Sequence, residues 1–247
     1  VGIRLSPADG FTDEWDMGLT LDNVVPWGRS FDEYLQMFNL TVADLDKRIL
    51  GCADGPAAFN AVLSGRGGRV ISVDPLYALT ASQIRERIAK TYDVILDQLR
   101  LNQADYVWEA IASIEALGQT RMAAMEQFLA DYESGKQAGR YVVGSLPTLP
   151  FEGDRFDLAL VSHFLFLYSD HLSADFHQQA LWELLRVSRE VRVFPLVTLA
   201  GDVSPYLPDV MAQFARLGYR VRIERVAYEF QRGGNQILIV DANPDPA

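Results

Sequence analysis

One cysteine, Cys52, stands among 247 residues, so an intramolecular disulfide is excluded and a reducing, cytoplasmic setting is expected. The plain role for Cys52 is a small buried side chain. Histidine is nearly as scarce, at three, and 22 lysines and arginines are outnumbered by 33 acids, for a formal charge of −11. A protein whose affinity rests on phosphate contacts needs the opposite balance, which disfavours DNA or RNA as a partner. Long apolar runs are missing too. The longest, Leu158 to Tyr168, is interrupted by Ser162 and His163 and falls far short of the ~20 residues that span a bilayer. No membrane segment is therefore expected, and neither internal repeats nor low-complexity tracts occur.

What is present suits one sizeable α/β domain, since 49% of the residues are apolar. Residues 1–47 read as an N-terminal arm, spanning Ser6 to Gly28 without a steady period, followed by a short helix. Ser30 and Glu33 form a capping box for that helix, and Phe31, Tyr34, Leu35 and Phe38 fall on one face. Residues 48–247 read as the domain proper. Arg48 to Cys52 is a first buried strand; Ala53-Asp54-Gly55 turns the chain, Pro56 suits helix position N1, and the helix runs to about Gly65. Arg69 to Val73 is a second strand closed by Asp74-Pro75.

From Thr80 to Gly139 the pattern is helical throughout, with stripes at Ile84, Ile88, Ile95 and Leu99 and at Met122, Met125, Phe128, Leu129 and Tyr132. A connection that long must pack somewhere, so residues 80–139 are expected to form a helical cap over one end of the sheet. The two stripes read as core rather than as pocket lining. Strand character returns at Tyr141 to Val143, Phe156 to Ser162 and Glu190 to Val197, with a helix from about Ser173 to Ser188. Ser204-Pro205 opens a last helix that Gly218 ends. Tyr219 to Val226 and Gln236 to Val240, joined through Arg232-Gly233-Gly234-Asn235, read as a closing hairpin. The expected fold is a doubly wound, mostly parallel sheet with one antiparallel member.

In such a sheet, ligands bind beyond the carboxyl ends of the strands where the winding reverses. The loop after the first strand, Gly51-Cys52-Ala53-Asp54-Gly55-Pro56, is built of small residues that admit a ligand close to the backbone. Asp74 lies nineteen positions beyond Gly55. An acid about 20 residues past a glycine turn is placed to accept hydrogen bonds from the ribose of an adenosine cofactor. The competing reading of Asp74 is a turn-forming Asp-Pro, and that of Asp54 an exposed turn aspartate.

The run Ile49 to Phe59, Asp74, and the run Leu149-Pro150-Phe151-Glu152-Gly153-Asp154-Arg155-Phe156-Asp157-Leu158-Ala159-Leu160-Val161-Ser162-His163 resemble class I S-adenosylmethionine-dependent methyltransferases. In that family a Leu-Pro-Phe segment, a polar turn and Phe-Asp-Leu lead into the fourth strand, whose end carries small residues and a histidine beside the cofactor. The resemblance implies a Rossmann-like methyltransferase fold with seven strands, a terminal antiparallel hairpin and a helical insertion after the second strand. It implies S-adenosylmethionine as cofactor, at Gly51, Ala53, Asp54, Gly55, Asp74, Pro75, Ser145, Leu146, Ser162 and His163, and a small-molecule methyl acceptor. His163 is the candidate base for an acceptor that loses a proton, ahead of Tyr168 and His171.

The family's glycine-rich first loop is altered here. Gly51, Ala53 and Ala57 occupy positions usually held by an acid and two glycines, and Gly144-Ser145-Leu146 stands where an adenine-side acid is common. Asp54 is a candidate replacement for the missing acid. This leaves open a catalytically silent module that binds S-adenosylmethionine or S-adenosylhomocysteine, and, from another class, a nicotinamide-dependent dehydrogenase. The latter is disfavoured because the loop does not match Gly-x-Gly-x-x-Gly. Asp170, His171, Asp175 and His177 straddle an expected helix start, where such residues serve as caps, so no metal is expected. Tyr34 and Met37 suit plain packing of the first helix.

Overall fold

The computed structural model describes residues 26–241. Most of the expected N-terminal arm, residues 1–25, lies outside the described residues, as do residues 242–247. The first helix, α1 (Phe31–Met37), starts as its capping box requires: the Ser30 hydroxyl accepts the Glu33 N–H at 3.3 Å, and the Glu33 carboxylate accepts the Ser30 N–H at 2.8 Å. A second capping box, Thr41 with Asp44, opens the single turn α2 (Val42–Leu45), which the apolar pattern was too short to announce. There follow β1 (Arg48–Cys52), α3 (Phe59–Gly65), β2 (Arg69–Val73), α4 (Ala81–Leu101), α5 (Ile114–Gln137), β3 (Tyr141–Val142) and β4 (Phe156–Ser162). The chain closes with α6 (Ala174–Val187), β5 (Ser188–Phe194), α7 (Leu207–Arg216), β6 (Arg220–Arg225) and β7 (Gln236–Asp241).

The strands form one seven-stranded sheet in the order β3-β2-β1-β4-β5-β7-β6. The first five in that order pair in parallel, whereas β7 runs antiparallel to both β5 and β6. This is the Rossmann-like methyltransferase fold with its terminal antiparallel hairpin. Alternation along each strand fills both faces. Leu50, Cys52, Ala159, Val161, Leu238 and Val240 join α6 and α7 in one core, and Ile49, Leu158, Leu160, Ile237 and Ile239 join α1 and α3 in the other. Cys52 is buried, as its surroundings in sequence require. Asp157 of the Phe-Asp-Leu run ties the start of β4 to β1, accepting from the Arg48 N–H at 3.0 Å and its guanidinium at 2.7 Å. No helix among the described residues is long and apolar enough to cross a membrane.

Several boundaries differ from the sequence reading. Helix α3 starts at Phe59, not at Pro56, because Ala53 and Gly55 both adopt left-handed backbone (φ +56° and +53°) and lengthen the loop. The helical excursion is broken into two helices. Its break, residues 102–113, is pinned to the β6–β7 loop: the Val107 N–H donates to the Phe230 carbonyl at 2.8 Å, and the Arg232 N–H to the Asp105 carbonyl at 2.9 Å. Both apolar stripes of the excursion are core, as expected. Strand β5 begins two residues early, since Ser188 pairs with Phe156, and stops at Phe194 because Pro195 has no N–H to donate. Helix α7 begins at Leu207 rather than at Ser204.

The insertion is joined to α1 by a buried ion pair. The Arg121 guanidinium on α5, 0% exposed, donates to both carboxylate oxygens of Glu33 and, at 3.2 Å, to the Tyr228 hydroxyl, which itself donates to Glu33 at 3.0 Å. Removing one partner leaves an uncompensated buried charge. Arg121→Met is expected to destabilise the protein by about 3–5 kcal/mol in urea denaturation, and adding Glu33→Met to recover most of that loss.

Candidate functional site

Chain winding reverses at β1, which lies between β2 and β4, so the tips of these strands bound the crevice in which a doubly wound sheet takes its ligand. The first tip is a loop folded on itself. Ala53 donates its N–H to the Val73 carbonyl at 3.0 Å, and the Asp54 carboxylate turns back over Gly51, where a Cβ would meet Asp54 Oδ2 at 1.8 Å. Asp54 is not an exposed turn residue. It is buried, its Oδ1 accepting from the Tyr34 hydroxyl at 2.8 Å and its Oδ2 from the Ser72 hydroxyl at 2.6 Å. Gly55 is open above: a Cβ added there meets nothing within 4 Å.

Asp74 makes the turn and also closes on the first loop. Oδ1 accepts the Leu76 N–H at 2.7 Å, the turn expected of Asp-Pro, while Oδ2 reaches across to the Gly55 N–H at 2.9 Å. Pro75 begins one 3-10 turn (Pro75–Ala78), which sets the Tyr77 hydroxyl to donate to the Gly55 carbonyl at 2.8 Å. Burial pushes both carboxyls up to about 6, against the hydrogen bonds that hold them down; the charge of Asp74 adds to the rise at Asp54.

The third tip carries Ser162 and His163. His163 takes left-handed backbone (φ +52°), anchored by its N–H to the Phe194 carbonyl at 2.7 Å, and its Nδ1 lies 3.0 Å from Ser162 Oγ. The Ser162 hydroxyl also acts on that of Tyr34, so Tyr34 stands between the β1 and β4 loops. Burial, then the charges of Arg29 and Arg121, hold the imidazole well below its usual range, leaving it neutral at pH 7. After β3, Leu146 is committed to the core beside Val73, and half-buried Ser145 closes a turn by accepting the Thr148 N–H at 3.2 Å. Of the residues singled out in the sequence, Gly51, Ala53, Asp54, Gly55, Asp74 and Pro75 gather at the β1 and β2 tips, Ser162 and His163 stand beside them, and Ser145 and Leu146 flank β2.

His177 is packed inside, with Nδ1 2.8 Å from the Ser173 carbonyl and Nε2 3.1 Å from that of Leu165. Among the described residues no group of three or more His, Cys, Asp or Glu is arranged to hold a metal. Arg222 on edge strand β6 pairs with Glu224 and Asp241. The cluster of Arg29, Glu33, Arg121 and Tyr228 beside His163 escaped the sequence reading. One signal was present: Arg121 sits on the same helical face as Leu117, Met125 and Phe128, a charge where the period demands an apolar residue.

The strand order and the terminal antiparallel hairpin define a doubly wound α/β protein with the Rossmann-like methyltransferase fold. No protein-family profile matches the chain. It is 34% identical over 223 residues to the uncharacterized protein MJ0045 of Methanocaldococcus jannaschii, covering 90% of this chain and 98% of that protein, and it belongs to the same family. Similar solved structures include magnesium protoporphyrin IX methyltransferase from Synechocystis PCC 6803 with bound S-adenosylmethionine (11% identity, 82% of this chain and 74% of that one, TM-score 0.44). Another is a methyltransferase from Thermotoga maritima described as a possible histamine N-methyltransferase (12% identity, 87% and 90%, TM-score 0.42).

The two raised carboxyls set the sign of a pH effect. Each titrates at 3.8 when unperturbed and at about 6 when folded, so its stabilising contribution is complete below the lower value and is lost as pH rises through the upper. His163 acts in the opposite sense, its contribution being lost as pH falls below 6.5. Asp54→Asn removes one carboxyl and leaves the histidine. Stability measured by denaturation from pH 4 to 7 is expected to fall less steeply with rising pH in this variant than in the parent.

Proposed function

We propose that this chain transfers a methyl group from S-adenosylmethionine to a small-molecule acceptor. The observation that carries the reading is the meeting of two buried carboxylates, Asp54 and Asp74, around open Gly55 at the point where the winding reverses. An adenosyl sulfonium fits that donor set: its ribose hydroxyls have Asp74 to donate to, its cationic end has a negative loop, and Gly51, Ala53 and Gly55 keep the backbone approachable. Pro75, Ser145, Leu146 and Ser162 flank the same crevice. The cofactor supplies a methyl group already activated on sulfur, so the protein's share is alignment and exclusion of water. His163 is the base in this reading. It is neutral, and Ser162 at Nδ1 leaves Nε2 to take a proton from the acceptor. The net charge of −11 favours a small acceptor over a nucleic acid.

One observation favours a second reading, a binding module without turnover. Tyr34 and Ser72 already occupy the Asp54 oxygens, and Ala53 holds a backbone conformation better suited to glycine. That module binds S-adenosylhomocysteine and yields no methylated product.

Calorimetric titration is expected to show S-adenosylhomocysteine binding and no response to NAD; the reverse overturns the proposal. Asp74→Ala is expected to weaken the nucleoside by about tenfold to a hundredfold, through loss of charged hydrogen bonds. Because a cationic ligand prefers ionised carboxylates, affinity is expected to fall below pH about 6, where Asp54 and Asp74 take up protons. His163→Gln is expected to slow transfer by about 10²–10⁴ with an acceptor that gives up a proton, read in a product assay at saturating cofactor.

A further inference from the structure

Beside His163 the charges do not balance. Arg29, from the segment before α1, and Arg121, from α5, lie within each other's field and within that of His163. The one carboxylate near them among the described residues, Glu33, is saturated: it accepts from Arg121 through both oxygens, from the Ser30 N–H and hydroxyl at 2.8 and 3.0 Å, and from Tyr228 at 3.0 Å. Among the described residues Arg29 is thus left without a counter-anion of its own. Its hydrogen bond among the described residues runs from Nη1 to the Trp27 carbonyl at 2.6 Å, and its Nε is buried with no partner. A guanidinium cannot shed its proton to escape this situation, although burial and Arg121 both press its pKa down.

The geometry points further than a surplus of charge. With Nη1 spent on Trp27, the edge that remains is Nε with Nη2, the pair of parallel donors that matches the two oxygens of a carboxylate. The backbone around Arg29 is fixed. Its carbonyl accepts the Ala58 N–H at 2.9 Å, and neighbouring Gly28 lies against Pro56 so closely that a Cβ would meet the Pro56 carbonyl oxygen at 2.1 Å. Tyr106 from the α4–α5 connection and Tyr168 from the segment after β4 lie in the field of the same guanidinium. Arg29 therefore stands between the first loop, the helical insertion and the β4 tip.

We propose that the Nε–Nη2 edge of Arg29 binds a carboxylate beside His163. The proposal rests on the methyl-transfer reading, and two sources offer that chemistry: the amino-acid end of the cofactor and an acid group on the acceptor. In the first case S-adenosylhomocysteine needs Arg29 and 5′-methylthioadenosine, which lacks the amino acid, does not. In the second case an acidic acceptor is held with its reactive atom toward His163, and the nucleoside affinities are indifferent to Arg29.

The test compares the full chain with Arg29→Gln by calorimetry, using both nucleosides and, in their presence and absence, benzoate against benzyl alcohol. Arg29→Lys, which retains the charge without the fork, is measured beside it, and thermal unfolding shows whether each variant is folded. A loss of at least about tenfold for S-adenosylhomocysteine with 5′-methylthioadenosine unchanged assigns the site to the cofactor's carboxylate, the size expected for a charged hydrogen bond. Loss of benzoate binding, with the nucleosides unchanged and benzyl alcohol bound by neither protein, assigns it to the acceptor. Full rescue by lysine, or affinities unchanged throughout, overturns the proposal. Should the parent bind neither nucleoside, the methyl-transfer reading fails while the benzoate arm still reads Arg29; should benzoate be ignored as well, both fall.

Discussion

The buried contact between Glu33 and Arg121 is the constraint from which the rest of the site follows. It joins the N-terminal helix, the inserted helices and, through Tyr228, the loop of the terminal hairpin, three elements far apart in sequence. Fixing α1 in this way aims the next residue, Tyr34, at Asp54, and Asp54 in turn is laid over Gly51. The need for glycine at position 51 therefore traces back to a charge on α5. A buried ion pair is weak evidence for stability, since desolvation offsets much of the attraction, but here it fixes register between parts of the molecule that share no strand pairing.

The site is consequently one of opposed fields. Two carboxylates at the β1 and β2 tips resist ionisation because burial removes them from water, while burial, aided by two guanidiniums, keeps the histidine at the β4 tip unprotonated. Negative charge lies on the first-loop side and positive charge on the insertion side.

Much of the architecture was readable from local pattern. The apolar runs of β1, β2, β4 and β7 and the cap of α1 each follow from a few neighbouring residues. Boundaries set by distant partners were not. The start of β5 depends on Phe156, the break in the excursion on a loop more than 120 residues further along, and the late start of α3 on left-handed backbone at Ala53, which alanine does not advertise. The loops of the site were legible because topology dictates where a doubly wound sheet opens. The Arg29, Glu33, Arg121 and Tyr228 cluster was not, because long-range packing assembles it, although a lone arginine on an apolar helical stripe marked one member.

The margins of the sheet have a consequence of their own. At one border β3 offers only the two residues Tyr141–Val142, and at the other β6 carries Arg220, Arg222, Glu224 and Arg225 along a row of half-buried and exposed positions. An incoming polypeptide seeking to zip onto either rim finds too little backbone on one side and must strip water from ionic groups on the other. Neither rim of this open sheet is thus a ready template for strand addition.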